Sequence, residues 1–142
     1  MIGKAVIMPD AFQLRIVTPR QQLLDEKVRE VTGPGTLGEF GVLAEHITFL
    51  TSLEIGTLSF RTDQSARRVA VRGGFAEVVN DVMTVLADDA VFAEQIDVGS
   101  ARSDLQAAEA RLQGLSPLDD AYPALDATRR WAQARIETCG GR

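Results

Sequence analysis

The sequence holds a single cysteine, Cys139, and a single histidine, His46. One cysteine excludes an intramolecular disulfide and fits a reducing, cytoplasmic compartment. One histidine excludes a multi-histidine metal site, and no cysteine or carboxylate cluster at ligand spacing accompanies it. No stretch approaches the ~18–20 apolar residues of a membrane span. The opening MIGKAVIMPDAF lacks the apolar run of a signal peptide. A membrane connection would therefore run through a partner. Excess positive charge is lacking too: 15 lysines and arginines against 20 aspartates and glutamates leave a net −5. That is the reverse of the basic surface that nucleic-acid binding uses.

Catalytic signals are equally scarce. There is no G-x-S-x-G elbow, and Cys139 stands next to a Gly-Gly pair near the end of the sequence, a poor place for a nucleophile. The neighbouring carboxylates Asp25-Glu26, Asp88-Asp89 and Asp119-Asp120 would diverge in a strand and read as solvated turns. One enzyme-like motif remains: in TGPGTLGEFG, Gly33, Gly35 and Gly38 have the spacing G-x-G-x-x-G. A phosphate-cradling loop needs free N–H groups and a helix opening at its last glycine. Pro34 has no N–H, and Gly41 follows too soon for a helix start. The triplet reads instead as glycine turns between strands.

What is there falls into two halves. The chain of 142 residues, 45% hydrophobic, suffices for one domain with an appendage. From Phe12 to about Ala93 the apolar period is two: Phe12, Leu14 and Ile16 in FQLRIV, Val69 and Val71 in RRVAVRG. Asn80-Asp81, between two valine-rich runs, suits a two-residue hairpin turn. A second hairpin is expected to turn through Thr62-Asp63-Gln64-Ser65. Many short strands with frequent turns point to a small sandwich or barrel. Near residue 95 the period changes. Ala101, Leu105, Ala108, Leu112 and Leu115 form one helical stripe, capped by Asp97 or Ser100. After Pro123, ALDATRRWAQARIE resumes a helix, with Asp126 and Arg130 spaced to pair. The whole is α+β: a β domain over 1–94, its first nine or so residues a leader tail, then an antiparallel helical hairpin over 95–142. The hairpin's contact stripe is alanine-rich, so self-packing buries little, and it should depend on another surface to stay put.

His46, in GVLAEHITFL, is either a histidine satisfied by a local hydrogen bond or an exposed contact residue on a loop. Composition does not choose between them.

The string GEFGVLAEHITFLTSLEIGTLSF, with IVTPRQQLLDEKVREVTGPG before it and VAVRGGFAEVVNDVMTVLADDA after it, closely resembles the epsilon subunit of rotary F-type ATP synthases. The likeness covers nearly the whole chain. Where most members have Gly-His, a small residue and proline, this chain has Glu45-His46-Ile47-Thr48. The resemblance implies a ten-stranded β-sandwich and a mobile helical hairpin. It implies a non-catalytic rotor subunit without cofactor or metal, peripheral on the cytoplasmic face of an energy-transducing membrane. Its implied partners are the gamma subunit, the ring of c subunits and, when the hairpin extends, the catalytic alpha/beta hexamer; nucleic acid and direct membrane insertion are not among its contacts. Glu39, Phe40 and His46 match the loop that meets the c-ring. Arg129, Arg130 and Arg135 match the helix that reaches an acidic loop of the beta subunit and blocks hydrolysis. Some relatives bind ATP through Ile/Leu-Asp-x-x-Arg-Ala. Here that stretch contains Ile96, Asp97, Ser100 and Ala101, with serine in the arginine's place. A stand-alone β-sandwich binding module with a helical oligomerisation arm is the alternative reading.

Overall fold

Among the described residues, eight strands precede two α-helices: β1 (Phe12–Val17), β2 (Gln22–Val28), β3 (Glu30–Gly35), β4 (Gly38–Leu43), β5 (Phe49–Arg61), β6 (Ala66–Val79), β7 (Val82–Ala87) and β8 (Ala90–Phe92), then α1 (Val98–Gln113) and α2 (Tyr122–Thr138). This computed structural model describes residues 11–45 and 48–140. Hydrogen bonding links the strands in the order β2-β1-β7-β6-β5-β3-β4, with β8 on β6. All pairs are antiparallel except β1 with β7.

The alternating apolar residues do what a period of two requires. Phe12, Leu14 and Ile16 of β1, Met83 and Val85 of β7, and buried residues from every other strand form one core. One core shared by all eight strands means that the sheet is folded over on itself into two layers. Asn80 and Asp81, both at positive φ (51° and 60°), make the two-residue turn between Val79 and Val82. Residues 62–65 close the β5–β6 hairpin, where Ser65 O accepts the Thr62 N–H at 2.8 Å.

Two expectations need correction. Among the described residues the strands number eight, not ten, and β5 and β6 are long, each serving both layers. In β6 the inward residues change from Val69 and Val71 to Ala76 and Val78, and in β5 from Leu53 to Leu58 and Phe60. The change of parity falls at a corner where Gly73 and Gly74 have φ of 71° and 116°. The second correction concerns Gly33-Pro34-Gly35. These residues lie in β3, paired with Phe40, Glu39 and Gly38 of β4, and the turn is Thr36-Leu37. The ring of Phe40 covers Gly33 and Gly35 from the neighbouring strand. An aromatic across the ladder supplies the packing that a glycine strand lacks.

The helices follow their stripe. Asp97 caps α1, its carboxylate accepting the Ser100 N–H at 3.0 Å, and Ala101 and Ala108 are buried. α2 packs on α1 and on strands β5 and β6. The arm is therefore docked, with α2 against one outer face of the sandwich.

Candidate functional site

The β3–β4 end presents Glu39 to solvent beside the fully exposed Leu37. Phe40 is half-buried and packs edge-on against Phe49, ring centroids 5.8 Å apart. Of the two described residues assigned to the c-ring, Glu39 is thus free at the surface and Phe40 shapes the hairpin beneath it. His46 lies outside the described residues. The start of its loop is moored: Glu45, at φ 63°, donates its N–H to Asp81 Oδ1 at 2.9 Å. Glycine adopts this left-handed conformation freely, whereas a side chain there is strained.

A second surface lies on the outer side of β6, β7 and β1. Phe75 stands opposite Leu86, and Leu86 opposite Val17. Phe75 and Leu86 are 54% and 52% exposed, and Leu50 on β5, opposite Glu77, is 68% exposed, so this face carries several apolar side chains in open solvent. Sequence reading passed over it. The signal was present, since Phe75 and Leu86 break the rule that outward strand positions are polar.

The other outer face belongs to the arm. Trp131 and Ala134 of α2 pack on Ala70, joined by Ile55, Val91 and Ile96. Polar contacts frame this small apolar centre. Arg130 meets Glu54 of β5 at 3.2 Å, Arg68 of β6 donates to the Glu137 carbonyl, and the hydroxyls of Thr57 and Thr138 lie 2.7 Å apart. All three arginines assigned to the beta subunit have intramolecular carboxylates in this docked arm. Arg129 bonds Asp126 at 2.7 Å, Arg130 also approaches Asp126 at 3.6 Å, and Arg135 bonds Asp104 of α1 at 2.8 Å while lying over the Trp131 ring.

The arm's root is held separately. Arg67 lies over the Phe92 ring, 4.3 Å from its centroid, and bonds Glu94 at 2.8 Å. That hydrogen bond holds the Glu94 carboxyl below its ordinary value of 4.5. Beside the root is a cleft of about 340 Å³ lined by Ile96, Asp97, Ser100, Arg20, Trp131 and Arg135, among others. The structure brings Ile96, Asp97 and Ser100 together there, while Ala101 is buried in the helix packing. Arg102, next to Ala101, lines a groove elsewhere with Ser103 and Gln106. Arg20 and Trp131 were not anticipated at this cleft. Only the Trp131–Arg135 spacing, four residues on one helix, could have hinted at it.

No helix among the described residues is long and apolar enough to cross a membrane. Comparison with known proteins now fixes the family. The family model for the ATP synthase delta/epsilon chain, β-sandwich domain, matches residues 11–93. The ATP synthase epsilon chain of Citrifermentans bemidjiense is 41% identical over 133 residues, 94% of this chain and 96% of that one. The epsilon chain of Geobacter sulfurreducens is 39% identical over the same shares of the two chains. Among solved structures, a chain of the Euglena gracilis mitochondrial ATP synthase (OSCP/F1/c-ring, rotational state 1) superposes with a TM-score of 0.69 at 25% identity, covering 99% of this chain and 84% of that one. A chain of the Tetrahymena thermophila central stalk/c-ring shares the fold, with a TM-score of 0.63 at 16% identity over 89% of this chain and 95% of that one. With a sandwich and arm matched along almost their full length, the chain belongs to the ATP synthase epsilon chain family.

Proposed function

We propose that this chain is a non-catalytic subunit of the ATP synthase central stalk. Its β body, ending near Glu94, binds the gamma subunit and stands on the ring of c subunits. Its arm, from Gln95 onward, brakes ATP hydrolysis by reaching the catalytic alpha/beta hexamer. The subunit sits peripherally on the cytoplasmic face of the energy-transducing membrane.

The carrying observation is the asymmetry of the sandwich. One outer face is covered by α2, and the other leaves Phe75, Leu86 and Leu50 half-exposed or more. Such an apolar face fits a lasting partner, and the gamma subunit is the partner that the family offers. At the β3–β4 end, Glu39 is exposed for the polar loops of the c subunits. A non-catalytic role is supported by the glycine triplet, whose backbone is paired in the β3–β4 ladder and cannot cradle a phosphate.

Cross-linking in the assembled complex tests both contacts. Phe75→Cys is expected to link to gamma, and Glu39→Cys and His46→Cys to a cysteine in the c-subunit loop. Failure of all three, while Ser65→Cys on the β5–β6 hairpin does link to those subunits, overturns the orientation.

A further inference from the structure

On a helix each residue advances about 100° around the axis, which divides the residues of α2 between two neighbours. Trp131, Ala134 and Thr138 fall on one side, flanked by Arg130 and Glu137; Arg135 turns to α1, where Asp104 receives it. The sheet-facing side has a small apolar centre, Trp131 and Ala134 on Ala70 with Ile55, Val91 and Ile96 around them. The polar contacts around it add to that centre in holding the arm down.

The hydroxyl pair differs in kind from the ion pair. Glu54 and Arg130 are each more than 40% exposed, and exposed pairs are worth little. Thr138 is 1% exposed, with Thr57 half-buried against it. A buried hydroxyl is costly to leave without a partner, whereas removing both partners of such a bond is nearly neutral. The two threonines are 81 positions apart in sequence, so only docking of the last turn of α2 on β5 brings them together.

We propose that Thr57 and Thr138 form a latch that holds the arm in its docked position, with Glu54–Arg130 and Arg68 on the Glu137 carbonyl as weaker fasteners. While the arm is docked, Arg130 lies against Glu54, and release of the latch separates the two. The role of the released arm rests on the proposed brake on hydrolysis; the latch itself does not.

The isolated full-length subunit carries its own probes. Trp131 is the one tryptophan of the sequence and is buried at the boundary. Ala134→Cys, in a Cys139→Ser background, places a thiol there whose labelling rate reads the open fraction. Thr57→Val and Thr138→Val, each alone, are expected to raise that rate about five- to a hundred-fold and to expose Trp131 to acrylamide. The double variant is expected to be no more open than either single, because the second substitution breaks no further bond and leaves no hydroxyl unpaired. Hydrogen exchange in β1 and β7 should stay at the parent's level in all variants, which separates opening from unfolding. Single variants with the parent's labelling rate overturn the latch, as does a double variant in which the effects of the two singles add in full. The same variants assembled into ATP synthase test the brake separately. Opening without slower ATP hydrolysis sinks the brake and leaves the latch standing.

Discussion

The ring of Phe40 occupies the space in which a side chain on Gly33 would begin, its Cζ 2.7 Å from the ideal β-carbon position. Gly33→Ala must therefore displace a ring that is itself set edge-on to Phe49. Overpacking of this kind costs about 1–3 kcal/mol, to be read as a lower urea midpoint with an unchanged slope. Gly41, one strand over, has its nearest neighbour at 3.8 Å. Gly41→Ala should stay within about 0.5 kcal/mol of the parent. Equal costs at the two sites would show that the Phe40 contact does not constrain β3.

The same contact shows where the sequence was legible and where it was not. Local chemistry was readable: the period of two in β1, the Asn80-Asp81 turn and the Asp97 cap all depend on residues within a few positions. Gly33-Pro34-Gly35 read as a turn because what makes it a strand is a ring on another strand. The parity change at Gly73-Gly74 was likewise hidden, since it is defined by which residues of two long strands share a core. The arginines of α2 were placed on the right helix, but their partners Glu54 and Asp104 lie 76 and 31 positions away. The resemblance supplied the family and its partner contacts, and no periodicity could have done so.

The root of the arm should respond to acid. Glu94 accepts the Arg67 hydrogen bond, which lowers its folded-state pKa below 4.5. A depressed carboxylate adds stability that is present above the unfolded value and lost as pH falls through the folded one. Glu94→Gln is therefore expected to lower stability by a constant small amount above pH 4.5 and to converge on the parent below it. Urea titrations across that window check the sign. A gap that widens on acidification would mean that Arg67 does not stabilise the ionised form. Asp63, lowered by its hydrogen bond to Arg29, should behave likewise below 3.8.

Removal of the arm tests the brake directly. The sandwich core draws on β1 to β8 and on no helix residue, so a chain ending before Val98 should still fold and assemble. If the arm restrains hydrolysis, the truncated complex should turn over ATP about five-fold faster or more under inhibiting conditions, a typical size for a coupling between sites. Replacing Arg129, Arg130 and Arg135 together by alanine should give most of that gain, because single exposed ion pairs are worth only ~0–1 kcal/mol. An assembled truncated complex that hydrolyses ATP at the intact rate would remove the arm from regulation.

ATP itself should bind this subunit weakly or not at all. The cleft at the arm's root is large enough in volume, at about 340 Å³, to admit part of a nucleotide. Its chemistry is the obstacle. Ser100 stands where motif-bearing relatives have arginine, offering one neutral donor in place of charge-assisted bonds. Asp97 spends its carboxylate on the Ser100 N–H, and together with Asp89 it lines the cleft with charge of the triphosphate's own sign. Arg135 reaches the cleft, but its guanidinium is held by Asp104 and stacked over Trp131. Arg20 is left as the main cation, and it is exposed. Calorimetric titration of the isolated subunit should therefore show no saturation with ATP at concentrations up to about 1 mM. Ser100→Arg should gain roughly ten-fold or more in affinity, the scale of one charge-assisted contact. Sub-millimolar binding by the parent would mean that Arg20 and Arg135 replace the missing arginine, and the arm would then be open to control by ATP.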